Sequence, residues 1–315
     1  MDSASKSTVE LDPRCEAVDR VAGDSEATAF KQRARLQQAR WRESQGIPIG
    51  THPIRPKPGG QTRTLGSRIA FSADRGQNFL TDEIFNVARC RAEAREKHEM
   101  LNHDRLFFDL LSSMPMCFNL FGSLVGDLEM ADRAVHAWWP NVPGRVSRVM
   151  FEWSPARREV GRFLGNGSAF DVAFELDLGA GKKGILGVET KYHEHCKREK
   201  PAGPLQSERY RKIASDSQAF NPGAADYFLG SDIQQIWQDH LLALSLPLDD
   251  MREWSWAAFA LVYPAANPSF RRVGERYRPW LRDGTSFHTT TIEQILDAQV
   301  LPTGLNERLR DRYIW

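Results

Sequence analysis

The sequence predicts an α/β protein with a mixed central sheet flanked by helices. Three observations predict this class: an amphipathic helical pattern, three consecutive strand-like segments after it, and a second amphipathic helix followed by another apolar strand. The resulting order is helix, strand, strand, strand, helix, strand. A chain of 315 residues is long enough to bury a sizeable core around such a sheet.

Charge is balanced over the whole chain but not along it. The 42 Lys and Arg residues nearly cancel the 41 Asp and Glu residues, which excludes a globally basic nucleic-acid-binding protein. Residues 1–30 carry 3 basic and 7 acidic side chains, whereas residues 31–68 carry 9 basic and 1 acidic side chain. Any polyanion-binding arm is therefore expected within residues 31–68.

The N-terminal part is expected to differ from the rest of the chain. Residues 1–66 hold few apolar side chains and end in a Pro- and Gly-rich basic stretch, which predicts a flexible basic arm, disordered or partly helical. Residues 27–43 lack Gly and Pro and are rich in helix formers, so they can form a basic helix, alone or on a partner, although the composition favours plain disorder. Residues 67–315 are expected to form a single folded domain.

Helices come first in the predicted domain. Residues 82–111 are strong helix formers, and residues 116–135 place apolar side chains at spacings of three and four. Residues 145–153 are rich in β-branched and aromatic side chains and are predicted to form the first strand.

The next two predicted strands carry charged residues. Residues 163–178 contain a Gly-Asn-Gly turn signal and then alternate apolar with polar side chains, which predicts a strand that bears Asp171. A glycine-rich turn follows, and residues 185–192 are predicted to form the third strand. Period-two geometry puts Glu189 and Lys191 on one face of that strand.

The remaining elements complete the pattern. Residues 193–230 are a polar and basic excursion, after which Ser231 and Asp232 predict the start of a helix with apolar side chains at spacings of three and four. Residues 255–263 are a continuous apolar run, as expected of a buried strand. At least one further helix is expected within residues 284–315.

Cysteine usage and hydropathy limit the environment of the protein. The cysteines at positions 15, 90, 117 and 196 form no CxxC pair, so neither a disulfide framework nor a zinc ribbon is expected. His193, His195 and Cys196 lack the matching second pair of a zinc site. No window of about 18 uncharged apolar residues occurs, which predicts neither a signal peptide nor a membrane span. We expect a cytoplasmic protein in a reducing compartment.

Three charged residues lie where they can serve chemistry. If the second and third strands form a hairpin, the carboxylates of Asp171 and Glu189 converge. Two such carboxylates repel each other unless a cation lies between them, and oxygen ligands suit Mg²⁺ or Mn²⁺. Lys191 would orient the attacking water or help to deprotonate it, and would offset phosphate charge. The alternative is a solvated sheet face with an ordinary ion pair.

This pattern resembles the PD-(D/E)XK nuclease superfamily, whose signature is an acidic residue followed by (D/E)-x-K. Here it reads Phe170-Asp171 and then Glu189-Thr190-Lys191, with Phe170 in place of the proline. The strings FLGNGSAFDVAFEL, GILGVETKYHE and DIQQIWQDHLLAL are similar to bacterial restriction-endonuclease-like proteins, and the resemblance covers roughly residues 112–265. It implies a restriction-endonuclease-like α-β-β-β-α-β core with extra N- and C-terminal helices.

The resemblance also implies roles for the residues of the signature. Asp171, Glu189 and the main-chain carbonyl of Thr190 are expected to hold Mg²⁺, or Mn²⁺ in its place. Lys191 is expected to lie beside the nucleophilic water.

Further site residues are expected outside the signature. Superfamily members often add a glutamate, for which Glu152 on the first strand is the candidate and Glu129 the alternative. Some place a glutamine on the helix after the third strand, where Gln234 or Gln235 fits, and helical geometry puts one of the two beside the sheet. The basic residues expected to grip a nucleic-acid strand are Lys197, Arg198, Arg209 and Arg211.

The implied activity is metal-dependent hydrolysis of phosphodiester bonds in DNA, leaving a 5′-phosphate and a 3′-hydroxyl. We expect an endonuclease with a role in genome defence or repair, and a homodimer, since cutting two strands normally needs two active sites. Two alternatives remain open. One is a nucleic-acid-binding protein that keeps the fold but has lost catalysis, and the other is a structural or partner-binding α/β protein.

Overall fold

The computed structural model describes residues 28–315 apart from 56, 97, 98, 100, 156, 158, 160 and 201. The strands are β1 Ile49–His52, β2 Arg63–Ile69, β3 Arg145–Trp153, β4 Phe170–Asp177, β5 Lys183–Thr190, β6 Trp254–Tyr263 and β7 Phe287–Thr291. The helices are α1 Ala29–Ser44, α2 Asp82–Glu93, α3 His103–Phe108, α4 Ser113–Phe121, α5 Leu128–Trp138, α6 Pro204–Asp216, α7 Ala224–Phe228, α8 Gln234–Ser245, α9 Pro268–Tyr277, α10 Ile292–Asp297 and α11 Thr303–Tyr313.

The main sheet has five strands in the order β3-β4-β5-β6-β7. Strands β3, β4 and β5 are antiparallel neighbours, so the predicted hairpin of the second and third core strands forms. After α6, α7 and α8 the chain returns as β6, which is parallel to β5, and β7 is parallel to β6. The predicted helix-strand-strand-strand-helix-strand order and the mixed sheet are confirmed, and β7 extends the sheet by one strand.

Helices cover both faces of this sheet. One face packs against α1 to α5, α10 and α11 through residues such as Val172 and Leu186. The other face packs against α6 to α9 through residues such as Ala173 and Ile185. Successive strand residues point to opposite faces, so both faces of β4 and β5 carry core side chains. The charged residues at the ends of these strands therefore lie next to two hydrophobic layers.

The basic N-terminal segment differs from the expected flexible arm over its described part. The helix that the sequence allows there forms as α1, and its residues Phe30, Ala34 and Trp41 are buried in the main core. The strands β1 and β2 form a separate antiparallel hairpin, and β2 crosses the expected domain boundary at residue 66. Residues 1–27 of the expected arm lie outside the described residues.

Buried arginines explain this difference. Arg35 donates to the Ser67 hydroxyl at 3.0 Å, and Arg42 donates to the Gly66 carbonyl at 2.9 Å. Both guanidinium groups are buried, with 8% and 6% of their residues' surface exposed. The basic composition predicts a solvated arm, but in the structure part of that charge joins α1 to β2 inside the domain.

The two long helices expected between residues 82 and 135 are broken in the structure. Residues 82–111 divide into α2 and α3, and residues 116–135 divide into α4, a short 3-10 turn and α5. At the second break a Cβ on Gly122 would lie 3.2 Å from the Ile84 side chain, so glycine permits close contact with α2. The excursion expected over residues 193–230 contains α6 and α7.

The described cysteines and helices bear on the expected environment. Cys90, Cys117 and Cys196 are free thiols, and Cys15 lies outside the described residues. Within the part of the chain that the structure describes, no helix has both the length and the apolar character that crossing a bilayer requires.

Candidate active site

Three carboxylates lie next to one another at one end of β3, β4 and β5. Val172 is paired with a β3 residue on one side and with Val188 of β5 on the other. One position further towards the same edge of the sheet lie Glu152 on β3, Asp171 on β4 and Glu189 on β5. Of these, Glu152 and Glu189 are buried. The hairpin thus brings Asp171 and Glu189 together, because an antiparallel register places residues of equal offset opposite each other.

Asp171 is held by Thr190 on the neighbouring strand. The Thr190 backbone N–H donates to Oδ2 of Asp171 at 2.8 Å, and the Thr190 hydroxyl donates to the same oxygen at 2.6 Å. Burial raises the pKa of Asp171, and the Thr190 donors and the Lys191 ammonium partly oppose this. These two hydrogen bonds fix the orientation of the carboxylate.

Glu189 and Lys191 form a buried ion pair on one face of β5, as the alternation along the strand requires. Lys191 Nζ lies 2.7 Å from Glu189 Oε1, and each residue is 8% exposed. Burial and the nearby Asp171 charge raise the pKa of Glu189 to about 7, against the opposing effect of Lys191. Proton uptake by Glu189 therefore falls close to neutral pH.

Lys191 remains a cation in this setting. Burial acts to lower its pKa, but the charges of Glu189, Glu194 and Asp239 together raise it above the usual value. The ammonium group is therefore the positive centre of an acidic site.

Glu194 is a site residue that the sequence reasoning missed. Its carboxylate accepts hydrogen bonds from the Ser113 hydroxyl at 3.1 Å and from the Tyr192 backbone N–H at 2.7 Å. Burial acts to raise its pKa, but the charges of His193 and Lys191 together with backbone hydrogen bonds lower the pKa below its usual value, which favours the charged form of Glu194. It falls in the segment interpreted as a polar excursion, and its position three residues after Lys191 was the available signal.

Asp239 on α8 was missed as well. It is 6% exposed, and its Oδ2 atom has no hydrogen-bond partner among the described residues. Burial and the charge of Glu189 raise its pKa well above the usual range. Asp239 lies four residues after Gln235, so one helical turn from a predicted site position was the signal that could have found it.

Glu152 lies close to the candidate site and is buried, whereas Glu129, the alternative glutamate, is exposed. Burial, followed by the charges of Asp171 and other carboxylates, raises the pKa of Glu152 to about 8. Its backbone has a positive φ of 50°, and Arg91 and Arg157 donate to its carbonyl oxygen. Glu129 is exposed in the first turn of α5.

The two candidate glutamines have different surroundings. Gln235 Nε2 donates to Glu189 Oε1 at 3.5 Å, so Gln235 lies beside the predicted carboxylate. Gln234 turns away: its Oε1 accepts from the Gly230 N–H at 2.6 Å, and its Nε2 donates to Glu199 at 3.3 Å. Only one of the two contacts the site, as helical geometry requires.

The predicted strand-gripping residues are spread over the surface. Lys197 and Lys191 line the same cavity of about 130 Å³ beside the site. Arg198 donates to a backbone carbonyl at 3.1 Å. Arg209 and Arg211 lie on α6, where Arg209 binds a carbonyl oxygen and Arg211 binds a carboxylate of the chain. The described contacts connect Lys197 with the site but give no such link for the other three.

The donor atoms at this place fit a hard divalent cation. Asp171, Glu189 and the Thr190 carbonyl would supply oxygen ligands, which Mg²⁺ and Mn²⁺ prefer. Carboxyl groups outnumber the single ammonium of Lys191, and burial and mutual repulsion raise the pKa values of Asp171, Glu189 and Asp239, as expected of a cluster that lacks a balancing cation. No three His, Cys, Asp or Glu side chains within the described ranges are grouped closely enough to hold a metal ion. Waters or substrate oxygens would therefore complete the ligand set.

A family model of the PD-(D/E)XK nuclease superfamily matches residues 24–315. No curated protein and no solved structure matches the chain. Membership of this superfamily implies nuclease activity, a nucleic-acid substrate and, in general, the use of divalent metal ions. The match spans the five-stranded mixed sheet and the hairpin with its acidic residue and Glu-x-Lys sequence. The chain belongs to the PD-(D/E)XK nuclease superfamily.

Proposed function

We propose that this protein is a metal-dependent deoxyribonuclease that hydrolyses phosphodiester bonds of DNA, with Asp171, Glu189 and Lys191 as its catalytic residues. One observation carries the proposal: a buried ammonium lies 2.7 Å from one carboxylate and acts on a second across the same hairpin. A substrate phosphate and its attacking water need this combination of anionic ligands and a fixed cation.

Asp171, Glu189 and the Thr190 carbonyl are the residues that would hold Mg²⁺, with Mn²⁺ as a substitute and Glu152 as a further ligand. When bound, the cation would neutralise charge on the scissile phosphate and make water a better nucleophile. Thr190 keeps Asp171 oriented through two hydrogen bonds, so the carboxylate is preorganised. Burial of the site excludes bulk water and strengthens each of these interactions.

Lys191 acts through its charge. Since its pKa is raised, the ammonium keeps its proton, which supports a role in orienting water and offsetting transition-state charge over a role as general base. Gln235 donates to the same Glu189 oxygen as Lys191 and helps to hold that carboxylate. Lys197 lies in the adjoining cavity, where a substrate phosphate fits its charge.

The finer features of the activity follow from the superfamily resemblance. DNA is the proposed substrate, endonucleolytic cutting the proposed mode, and genome defence or repair the proposed setting, within the cytoplasm of a bacterium. A homodimer is proposed because a chain with one site cuts both strands of a duplex most directly when two copies act together.

The test compares wild type with Lys191→Ala and the control Lys182→Ala. Lys182 is exposed in the turn after β4, at the opposite end of the β4-β5 hairpin from Asp171. Each protein is incubated with circular single-stranded and double-stranded DNA in Mg²⁺, Mn²⁺ or EDTA. Wild type and Lys182→Ala should cut circles with metal and fail in EDTA, and Lys191→Ala should fail throughout.

The opposite pattern decides against the proposal. If no circle is cut in any metal while salt-sensitive DNA binding survives in Lys191→Ala, the catalytically silent binding protein is the better description. Cutting by Lys191→Ala at the wild-type rate would remove Lys191 from the catalytic residues.

A further inference from the structure

An exposed basic and aromatic surface lies outside the active site. It is formed by described residues that lie between β1 and β2, after β2, and between α2 and the start of α3. Its members are Arg55, Phe71, Arg75, Arg95 and His103, and we call it the Phe71 surface.

Phe71 is the aromatic centre of this surface. Half of its area is exposed, a larger fraction than for the other exposed aromatic side chains of the described residues, Trp315 at 43% and Tyr227 at 37%. The guanidinium carbon of Arg55 lies 4.9 Å from the centroid of the ring, and the Phe108 ring lies 5.3 Å from it. These contacts hold the ring in place while leaving half of it open to water.

Positive charge surrounds this aromatic group. His103 has a lowered pKa, first because of burial and then because of Arg75, Arg55 and Arg95, with Asp104 opposing. Arg55 forms an ion pair with Asp104 at 3.1 Å, yet its side chain is still 54% exposed. Arginines from three separate segments therefore lie near His103, and the charge of Asp104 opposes theirs there.

Intramolecular contacts link Arg95 of this surface to the strand β3 next to the proposed catalytic site. Arg95 donates to the Glu99 carbonyl at 2.8 Å, and the Glu99 carboxylate lies 2.7 Å from Arg91. Arg91 in turn donates to the backbone of Phe151 and Glu152 at the end of β3. A chain of direct contacts thus connects Arg95 of the Phe71 surface, through the buried Glu99, with the backbone of the strand β3 that carries Glu152.

We propose that the Phe71 surface binds a single-stranded stretch of nucleic acid that extends from the active site. Arg55, Arg75 and Arg95 would contact successive phosphates, and an unstacked base would lie on the ring of Phe71. A base within a duplex is already stacked and offers no face to an isolated aromatic ring, so the exposed phenyl favours a single strand. This assignment rests on the proposed nuclease function, because it names the form of the substrate.

The test measures binding of full-length protein to a fluorescent single-stranded oligonucleotide and to a duplex of equal length, in EDTA so that nothing is cut. Phe71→Ala should weaken single-strand binding about tenfold, since stacking of a base on an aromatic ring contributes on that scale. Phe71→Trp should restore it. Leu205→Ala, at a leucine that is 85% exposed on α6, is the matched control and should bind like wild type.

Salt dependence tests the arginines separately. The double variant Arg55→Gln/Arg75→Gln should lower the slope of log Kd against log salt by about 1.4, from about 0.7 for each single-strand phosphate contact. Lys182 is an exposed lysine at the end of the β4-β5 hairpin opposite to Asp171. Lys182→Gln should leave the slope of log Kd against log salt unchanged. Melting temperatures of all variants confirm that they are folded.

Three results would overturn the assignment: single-strand affinity of Phe71→Ala within twofold of Leu205→Ala, an equal loss on the duplex, or an unchanged salt slope in the arginine variant. The proposed nuclease function is tested independently of this surface. Because binding is read in EDTA, loss of binding in Phe71→Ala supports the surface even if wild type cuts no DNA, and cleavage with unchanged binding supports the nuclease alone.

Discussion

Thr190 on β5 donates two hydrogen bonds to one oxygen of Asp171 on β4, from its hydroxyl at 2.6 Å and from its backbone N–H at 2.8 Å. The backbone donor is present whatever residue occupies position 190, whereas the hydroxyl depends on the sequence. The middle residue of the Glu-x-Lys sequence therefore helps to orient the acidic residue of the other strand.

Replacing Thr190 by valine removes the hydroxyl and keeps the shape of the side chain. We expect Thr190→Val to lower the free energy of unfolding by about 1–3 kcal/mol, because a partly buried carboxylate loses a donor. DNA cleavage should slow as Asp171 loses its orientation. Urea unfolding and cleavage rates check this, with Thr190→Ser as the control that keeps the donor. Equal losses in both variants would mean that keeping the hydroxyl donor confers no advantage, and would assign the effect to altered packing at position 190 and not to the hydrogen bond.

The adjacent glutamines on α8 should give opposite phenotypes. Gln235→Ala removes the 3.5 Å contact with Glu189 and is expected to lower the cleavage rate severalfold with little change in melting temperature. Gln234→Ala removes the acceptor of the Gly230 N–H and is expected to lower the free energy of unfolding by about 1–2 kcal/mol. Paired measurements of unfolding and cleavage separate the two roles, and a stability loss confined to Gln235→Ala would contradict the assignment.

The strands could be predicted from the sequence, and the wider site could not. The alternation of side chains along β4 and β5 predicts the strand and the face on which Asp171 and Glu189 lie, because the period of a strand is short and local. Glu194 and Asp239 reach Lys191 through a loop and a helix, whose distance from the sheet depends on tertiary packing.

The N-terminal segment likewise shows that the sequence does not predict contacts that depend on tertiary packing. Arg35 and Arg42 look like solvated charges in the sequence, but in the structure they donate to Ser67 and to the backbone of Gly66. Composition counts charges without stating what partners they find, so a buried basic helix and a flexible basic arm have similar sequences.

Removing the ammonium of Lys191 should destabilise the protein in a pH-dependent way. In Lys191→Met the buried Glu189 loses its 2.7 Å partner, and its pKa, already about 7, should rise further. An acid whose pKa is higher in the folded state favours folding at low pH and opposes it at high pH. The loss of stability relative to wild type should therefore be larger at pH 8.5 than at pH 5.5, as measured by urea unfolding. A loss that does not change between these pH values would show that packing, and not charge, is responsible.

Gly187 on β5 marks the point of closest contact between the hairpin strands and an aromatic ring. A Cβ at this position would lie 2.4 Å from Phe170, which is itself 1% exposed and stacked on Trp153. Gly187→Ala should lower the free energy of unfolding by about 1–3 kcal/mol through overpacking. Gly203→Ala, where a Cβ meets nothing within 4 Å, is the control. The double variant Gly187→Ala/Phe170→Leu should recover part of the loss, and strictly additive effects would contradict the steric explanation.

His240 on α8 should make the folded state sensitive to acid. It is fully buried between the Tyr277 hydroxyl and the Ser286 hydroxyl, each 3.0 Å from one ring nitrogen. Burial, with a smaller contribution from His288, lowers its pKa to about 3. The unfolded chain takes up this proton near pH 6.5 and the folded chain only near pH 3, so stability falls as the pH drops through this window.

The expected size of the His240 effect determines how it is measured. Between pH 6.5 and pH 4.5 the His240 contribution amounts to about 2–3 kcal/mol, at about 1.4 kcal/mol for each pH unit. Other groups titrate over the same range, so the quantity to compare is the slope of unfolding free energy against pH in wild type and in His240→Gln. The slope of wild type should be steeper than that of His240→Gln by about 1.4 kcal/mol per pH unit, which corresponds to one proton. Parallel slopes would mean that His240 binds its proton equally well in both states, and that its burial between the two hydroxyl groups does not oppose the charge.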